Sequence, residues 1–189
     1  PWRAIFFLLA LYGFASALWV SLRLPETLDP ANRRSIHPSE IWAGFGIVVR
    51  DRHSLGYTLA TMINFGALLG YIMSCQQLFT EVFGVAHLFA LLFAASSAGL
   101  AVAAFTNSRI VEALGSRTVS HVAMLLMAAV TGTHLLWSWL AGDNLVSFML
   151  FQMITMMCVG LSGSNFSALA MESMGSLAGT ASSVQGATA

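Results

Sequence analysis

The sequence has no lysine and few charges of any kind. Only 8% of its 189 residues are Asp, Glu or Arg, against about 25% in an ordinary soluble domain. Eight arginines and eight acids cannot cover the water-facing surface of a domain this size. Disorder is excluded by the same scarcity, because disordered chains are rich in charge and poor in apolar residues. Net charge is zero, which argues against a nucleic-acid partner, since that needs a basic surface. Cysteine is limited to Cys75 and Cys158, far apart in apolar surroundings, so there is no disulfide framework and no metal spacing. No H-E-x-x-H or phosphate-binding glycine loop occurs. What is abundant is apolar: 57% hydrophobic residues and a mean hydropathy of +0.77. These numbers leave a membrane protein, and the apolar runs along the chain give its fold class, all-α integral membrane.

A membrane-crossing helix needs about 20 mostly apolar residues. Five complete runs meet this, at residues 4–22, 55–78, 87–106, 118–140 and 145–170, and a sixth begins near 176. Every arginine and every acid falls outside them, as expected when one central charge costs about 2.5–3.5 kcal/mol on insertion. The last run is too short to span and the first opens almost at once, so the expectation is an internal fragment of a longer chain. The first run also lacks the small-residue cleavage site of a signal peptide.

Arginine distribution sets the orientation. Arg23, Arg33, Arg34, Arg50 and Arg52 lie between runs one and two, and Arg109 and Arg117 between runs three and four; Arg3 alone lies on the other side. By the positive-inside rule, segments 23–54 and 107–117 are cytoplasmic. Trp2, Trp19, Tyr57, Trp137 and Trp139 sit near run ends, as interfacial anchors do. The long connection 23–54 holds Pro25, Pro30 and Pro38. From Pro38 onward it reads either as a short interfacial helix with Ser39 as N-cap or, given Gly44 and Gly46, as a plain loop.

Polar residues inside a span face the bundle or a cavity, because lipid cannot satisfy them. Run two carries Asn64, Tyr71, Ser74, Gln76 and Gln77, with Tyr71 and Ser74 on one face and Asn64 a heptad earlier. They read either as a polar stripe along a substrate cavity or as interhelical hydrogen bonds, worth about 0.6 kcal/mol each. Gly66-x-x-x-Gly70 reads as a close-packing motif, and run three is dense in Ala, Ser and Gly, which favours backbone-to-backbone contact. Run five places Met149, Met153, Met156 and Met157 on one helical face. That face suits either a loosely specific ligand site or ordinary packing. Ser162, Gly163, Ser164 and Asn165 would let run five bend. His134 lies within run four with no acid in any span to pair with it, so it reads as structural; His37, His53, His87 and His121 read as solvated.

Enzymatic readings find little support. Gly160-Leu161-Ser162-Gly163 matches the G-x-S-G of rhomboid proteases, but that serine needs a histidine base from a later helix, and no His follows Ser162. Two intramembrane aspartates, as aspartyl chemistry requires, are absent.

Four stretches together resemble one family: Trp2-Arg3-Ala4-Ile5-Phe6; Leu24-Pro25-Glu26-Thr27-Leu28; Asn107-Ser108-Arg109-Ile110-Val111 continuing to Leu114-Gly115-Ser116-Arg117; and Ala178-Gly179-Thr180-Ala181-Ser182-Ser183. In this order they are similar to the Bcr/CflA drug-resistance transporters of the major facilitator superfamily. The resemblance implies a helical bundle of twelve spans in two halves, with this chain running from about span 6 to the start of span 11. Residues 1–22 would be span 6, 23–54 the central cytoplasmic loop, and 55–189 the C-terminal half with spans 7–10 and part of span 11. It also implies a bacterial inner-membrane multidrug exporter, no enzyme, working by proton antiport and alternating access around a midplane site. No cofactor is expected beyond the proton gradient. The partners are a drug-like small molecule, the bilayer and the N-terminal half of the same chain, where the proton-coupling acids would lie.

On this reading the cavity candidates are Asn64, Tyr71, Ser74 and Gln77 in span 7, and Met153, Met156 and Asn165 in span 10. Residues 108–117 resemble a second copy of the superfamily's cytoplasmic gate motif, with Arg109, Glu112, Gly115 and Arg117 as its members and Ala113 replacing an Arg. A carboxylate at 112 would pair with Arg or a helix N-terminus and latch that side. Ser96 stands where family members often carry Asn. The alternatives are a non-transporting membrane assembly subunit or an intramembrane enzyme.

Overall fold

A computed structural model describes residues 2–25, 38–172 and 174–188. The described residues are helical almost throughout, and five helices are long and apolar enough to cross a membrane. Contacts divide the chain into two units, 1–37 and 38–189.

The first unit holds α1 (Arg3–Arg23), whose 21 residues span about 31 Å at 1.5 Å each, close to the thickness of a bilayer core. Arg3 lies over the Trp2 ring at one end and Arg23 over Trp19 at the other, so each interfacial indole carries a cation. The helix stops at Leu24, which is extended (φ −86°, ψ 111°) because the ring of Pro25 excludes the helical conformation from the residue before it.

The second unit begins with α2 (Pro38–Arg50). Of the two readings left open for this segment, the helix is the one formed, with proline at its first position, where a missing N–H does no harm. Ser39 is therefore inside the helix rather than capping it, and the cap position falls at His37, outside the described residues. Gly44 and Val48, one turn apart, face α7 (Ala178–Thr188). A Cβ on Gly44 would lie 3.4 Å from Leu177 and Thr180, and Val48 is buried with Met174, Ala181 and Val184.

Asp51 alone separates α2 from α3 (Arg52–Gln77). It is extended, and its Oδ1 accepts from the Ser54 backbone N–H at 2.6 Å, which satisfies an otherwise orphaned donor. The helix thus starts three residues before the apolar run that announces it. Past Gln77 the helix widens into a π-type turn, Leu78–Val82, closed by Phe83 N–H to Leu78 O at 3.0 Å and ended by Gly84 at φ +66°. Phe79, the second residue of this turn, is fully buried against Phe83, Phe89 and Phe148.

After a 3-10 turn, Ala86–Leu88, come α4 (Phe89–Leu114), α5 (Ser116–Ala141) and α6 (Leu145–Glu172). The expected loop at 108–117 is not a loop. Helix α4 continues through Leu114, and the connection is Gly115 alone, at φ +77° and ψ 146°, a conformation open to glycine and strained for other residues. Helix α6 is the central element and packs against α3, α4 and α5. Its buried residues, among them Met156, Val159, Leu161, Ser162 and Phe166, cover more than half of its circumference, and Leu150, Met153, Ile154 and Ser164 lie exposed on the remaining face.

Close approach of α4 and α6 depends on glycine. A Cβ on Gly99 would sit 2.3 Å from the Met153 carbonyl oxygen, and one on Gly160 would sit 2.7 Å from the Ala103 Cβ. The sequence motif Gly66-x-x-x-Gly70 does not play this part: nothing lies within 4 Å of a Cβ at either position. Asn64 is the inward residue of α3, and Gly66 is about 200° further round the helix.

Candidate functional site

The charge-free spans carry their polarity in three seams beside α6 and α4. The first joins α3 to α6. The Asn64 side chain, 5% exposed, donates through Nδ2 to the Val159 carbonyl at 3.0 Å. Its Oδ1 lies 3.2 Å from Ser162 Oγ, whose nearer acceptor is Cys158 O at 2.7 Å. Gly163 makes room: a Cβ there would lie 2.9 Å from the Asn64 amide. This is the second function of the Ser162-Gly163-Ser164-Asn165 stretch, which leaves α6 one continuous helix.

The second seam joins α3 to α4. Tyr71 OH and Ser96 Oγ are 2.5 Å apart. Ser96 gives its own hydrogen to Phe93 O at 2.9 Å, so the tyrosine is the donor. The Tyr71 ring lies parallel to Phe93, 6.3 Å between centroids. The third seam joins α6 to α4, where buried Asn165 donates to Asn107 Oδ1 and to Leu161 O, both at 2.7 Å.

The seven cavity candidates therefore fall into two groups. Asn64, Tyr71 and Asn165 are bonded inside the four-helix unit, and Met156 is buried against Gly99. Ser74, Gln77 and Met153 are on its outside. Gln77 donates to Glu81 at 3.0 Å and lines a shallow cavity of about 270 Å3 with Gln76 and Thr80. The methionine face is likewise divided: Met149 joins the aromatic cluster around Phe79, Met157 packs against the cluster of Ala103, Val119 and Leu161, and Met153 is exposed.

Three of the gate residues, Arg109, Glu112 and Arg117, sit on helices, and Gly115 is the one-residue connection between α4 and α5. Arg109 lies over the Phe105 ring at 5.2 Å, on the same helix end as Glu112. Among the described residues Glu112 has no cation within 4 Å. Arg117, on the first turn of α5, lines a cavity of about 320 Å3 with Arg52, His53, Tyr57, His121 and Phe166. His53 and His121, read from sequence as simply solvated, form part of this wall.

His134 gains the acidic partner that no span supplies. Gly142, at φ +73°, reverses the chain and brings Asp143 Oδ1 within 3.3 Å of His134 Nε2, while the imidazole stacks on Phe151 at 4.5 Å. Asn144 then caps α6, its Oδ1 accepting from the backbone of Val146 and Ser147 at 3.0 Å each. The Asp-Asn-x-x-Ser spelling was the available signal for both.

Residues 1–189 match the family model of the Major Facilitator Superfamily. The chain belongs to that superfamily, and its fold is the all-α, multi-pass membrane bundle of that class. It is 27% identical to the uncharacterized MFS-type transporter YdgK of Bacillus subtilis (strain 168), over 98% of this chain and 46% of the relative. It is 28% identical to a bicyclomycin resistance protein homolog of Haemophilus influenzae, over 66% of this chain and 32% of the relative. The chain thus spans less than half the length of these curated relatives. No solved structure matches it.

Proposed function

We propose that the chain is the central and C-terminal part of a secondary active transporter that exports drugs or other small molecules from the bacterial cytoplasm by proton antiport with alternating access. On this reading α1 is span 6, α3 to α6 are spans 7–10, α7 opens span 11, and the arginine-rich ends face the cytoplasm. The observation that carries it is the superfamily match across the whole chain. The bicyclomycin-resistance name of one relative and the motifs shared with the Bcr/CflA transporters supply the drug-export part. Spans without a single charge fit a half whose work is to hold shape and contact cargo, with the proton-coupling acids in the other half.

The test is expression of the full-length protein in a bacterial strain stripped of its own exporters, challenged with bicyclomycin and chemically unrelated drugs. Raised tolerance, with drug efflux that stops when a protonophore collapses the gradient, is the expected result. Unchanged tolerance and efflux, with the protein demonstrated in the membrane, refutes drug export. Efflux that persists without the proton gradient refutes antiport.

A further inference from the structure

We infer that the cavity at the arginine-rich end, between α3, α5 and α6, binds a phosphate group, supplied by an anionic phospholipid headgroup or by a soluble phosphate compound. Its position explains the first source. It lies at the helix ends, where the spans leave the apolar layer and meet headgroups, and basic pockets between spans at this level hold anionic lipids.

Charge is the first ground. In a chain with eight arginines, Arg52 and Arg117 line one cavity of about 320 Å3 together with His53 and His121. None of the residues lining it is acidic, and among the described residues neither arginine has a carboxylate within 4 Å. Glu172 lines an adjoining cavity that shares His53 and Arg117, and Asp51 is held to the Ser54 backbone N–H. Two guanidinium forks with no counter-ion among the described residues match the planar, bidentate contacts that phosphate oxygens offer.

Shape is the second. Tyr57 forms the wall, 5.0 Å from His53, 6.3 Å from His121 and 5.8 Å from buried Phe166, ring to ring. An apolar wall behind the cations lowers the local dielectric and strengthens their pull on an anion. The Tyr57 hydroxyl has no hydrogen-bond partner among the described residues and is a further donor. Helices α3 and α5 both start here, so the positive ends of two 26-residue helices add to the field. No cavity candidate for cargo belongs to this set, so failure of the transport reading leaves it standing, and the reverse holds too.

The test uses the full-length protein in detergent, with phosphatidylglycerol, phosphatidylcholine and inorganic phosphate as probes, bound molecules being counted by native mass spectrometry. Phosphatidylglycerol is expected to outcompete phosphatidylcholine, and Arg52→Gln/Arg117→Gln to weaken it about twenty-five-fold, a factor of about five for each arginine. Arg109→Gln, outside the cavity, is expected to bind as the wild type does. Inorganic phosphate binding that vanishes in the double variant, without lipid preference, assigns the site to a soluble phosphate compound. Undiminished binding of both phosphatidylglycerol and inorganic phosphate in the double variant overturns the proposal. If that variant does not fold, Tyr57→Phe and His121→Gln serve instead: each is expected to weaken binding several-fold, and no change in either overturns it.

Discussion

Gly99→Ala probes the glycine with the tightest surroundings among the described residues. The added Cβ would meet the Met153 carbonyl oxygen at 2.3 Å, with Met156 Cβ and Met157 N both at 3.0 Å. Two of these three neighbours are backbone, so no rotamer change relieves them and α4 must move away from α6. Overpacking of this kind costs about 1–3 kcal/mol, and contact with a rigid backbone puts this site at about 3. Alanine returns about 1 kcal/mol through its better helix propensity, for a net loss of about 2 kcal/mol. Gly66→Ala is the matched control, because nothing lies within 4 Å of its Cβ and only the propensity gain of about 1 kcal/mol remains. The two substitutions should therefore differ by about 3 kcal/mol with opposite signs. Reversible unfolding of the full-length protein in mixed micelles titrated with SDS reads this directly. A Gly99→Ala protein as stable as the wild type, or a Gly66→Ala protein that loses as much, refutes the assignment of the tight seam to Gly99.

Three further outcomes follow from the same geometry. Gly160→Ala is expected to destabilise by about 1–2 kcal/mol through its 2.7 Å contact with the Ala103 Cβ; adding Ala103→Gly removes the obstructing atom and should restore part of the loss in a double-mutant cycle. Tyr71→Phe removes the donor to Ser96 and should cost about 0.6 kcal/mol, up to about 1.7, measured by the same SDS titration. Asp51→Ala removes the cap on the Ser54 N–H and should cost about 1 kcal/mol, with hydrogen exchange accelerated in the first turn of α3 rather than at its far end.

The spans were legible because burial in lipid is a property of runs, and no charge interrupts these. What the runs did not disclose was their ends. Asp51, Gly115 and Asn144 end or start helices through one backbone conformation or one side-chain bond, and none leaves a trace in hydropathy. Hence α4 and α5 absorbed all of the expected loop at 108–117 except Gly115, and Glu112 came to lie on a helix surface. The glycine pattern misled for a related reason. Gly66 and Gly70 have the packing spacing, but spacing does not say which way a face points; the bulk of Asn64 turning inward decides that. His134 was read as partnerless because only span residues were weighed, while the partner, Asp143, arrives through a glycine reversal. Asn107 was visible within a motif, yet its bond to Asn165 joins residues 58 apart and needs the fold.

On the proposed transport reading, the division of the seven candidates by bonding decides what each could do for a cargo. Asn64 binds a carbonyl on α6, and Asn165 is held both by a side chain and by a carbonyl. To contact cargo, either must break a bond that lipid cannot replace, so contact weakens the very seams that make the four helices one body. Ser74, Gln77 and Met153 carry no such obligation to the helix bundle, since Gln77 bonds only to Glu81 on its own helical segment. If the unit moves as a rigid half, its internally bonded polar groups keep its shape and its exposed ones meet whatever moves against it. Single cysteines test this in the full-length protein. Ser74→Cys and Met153→Cys should react with a membrane-permeant maleimide at rates that change when cargo is added, whereas Asn64→Cys and Asn165→Cys should react slowly in both conditions. Cargo-dependent labelling confined to the Asn64 and Asn165 positions would reverse the argument and place the cargo within the seams.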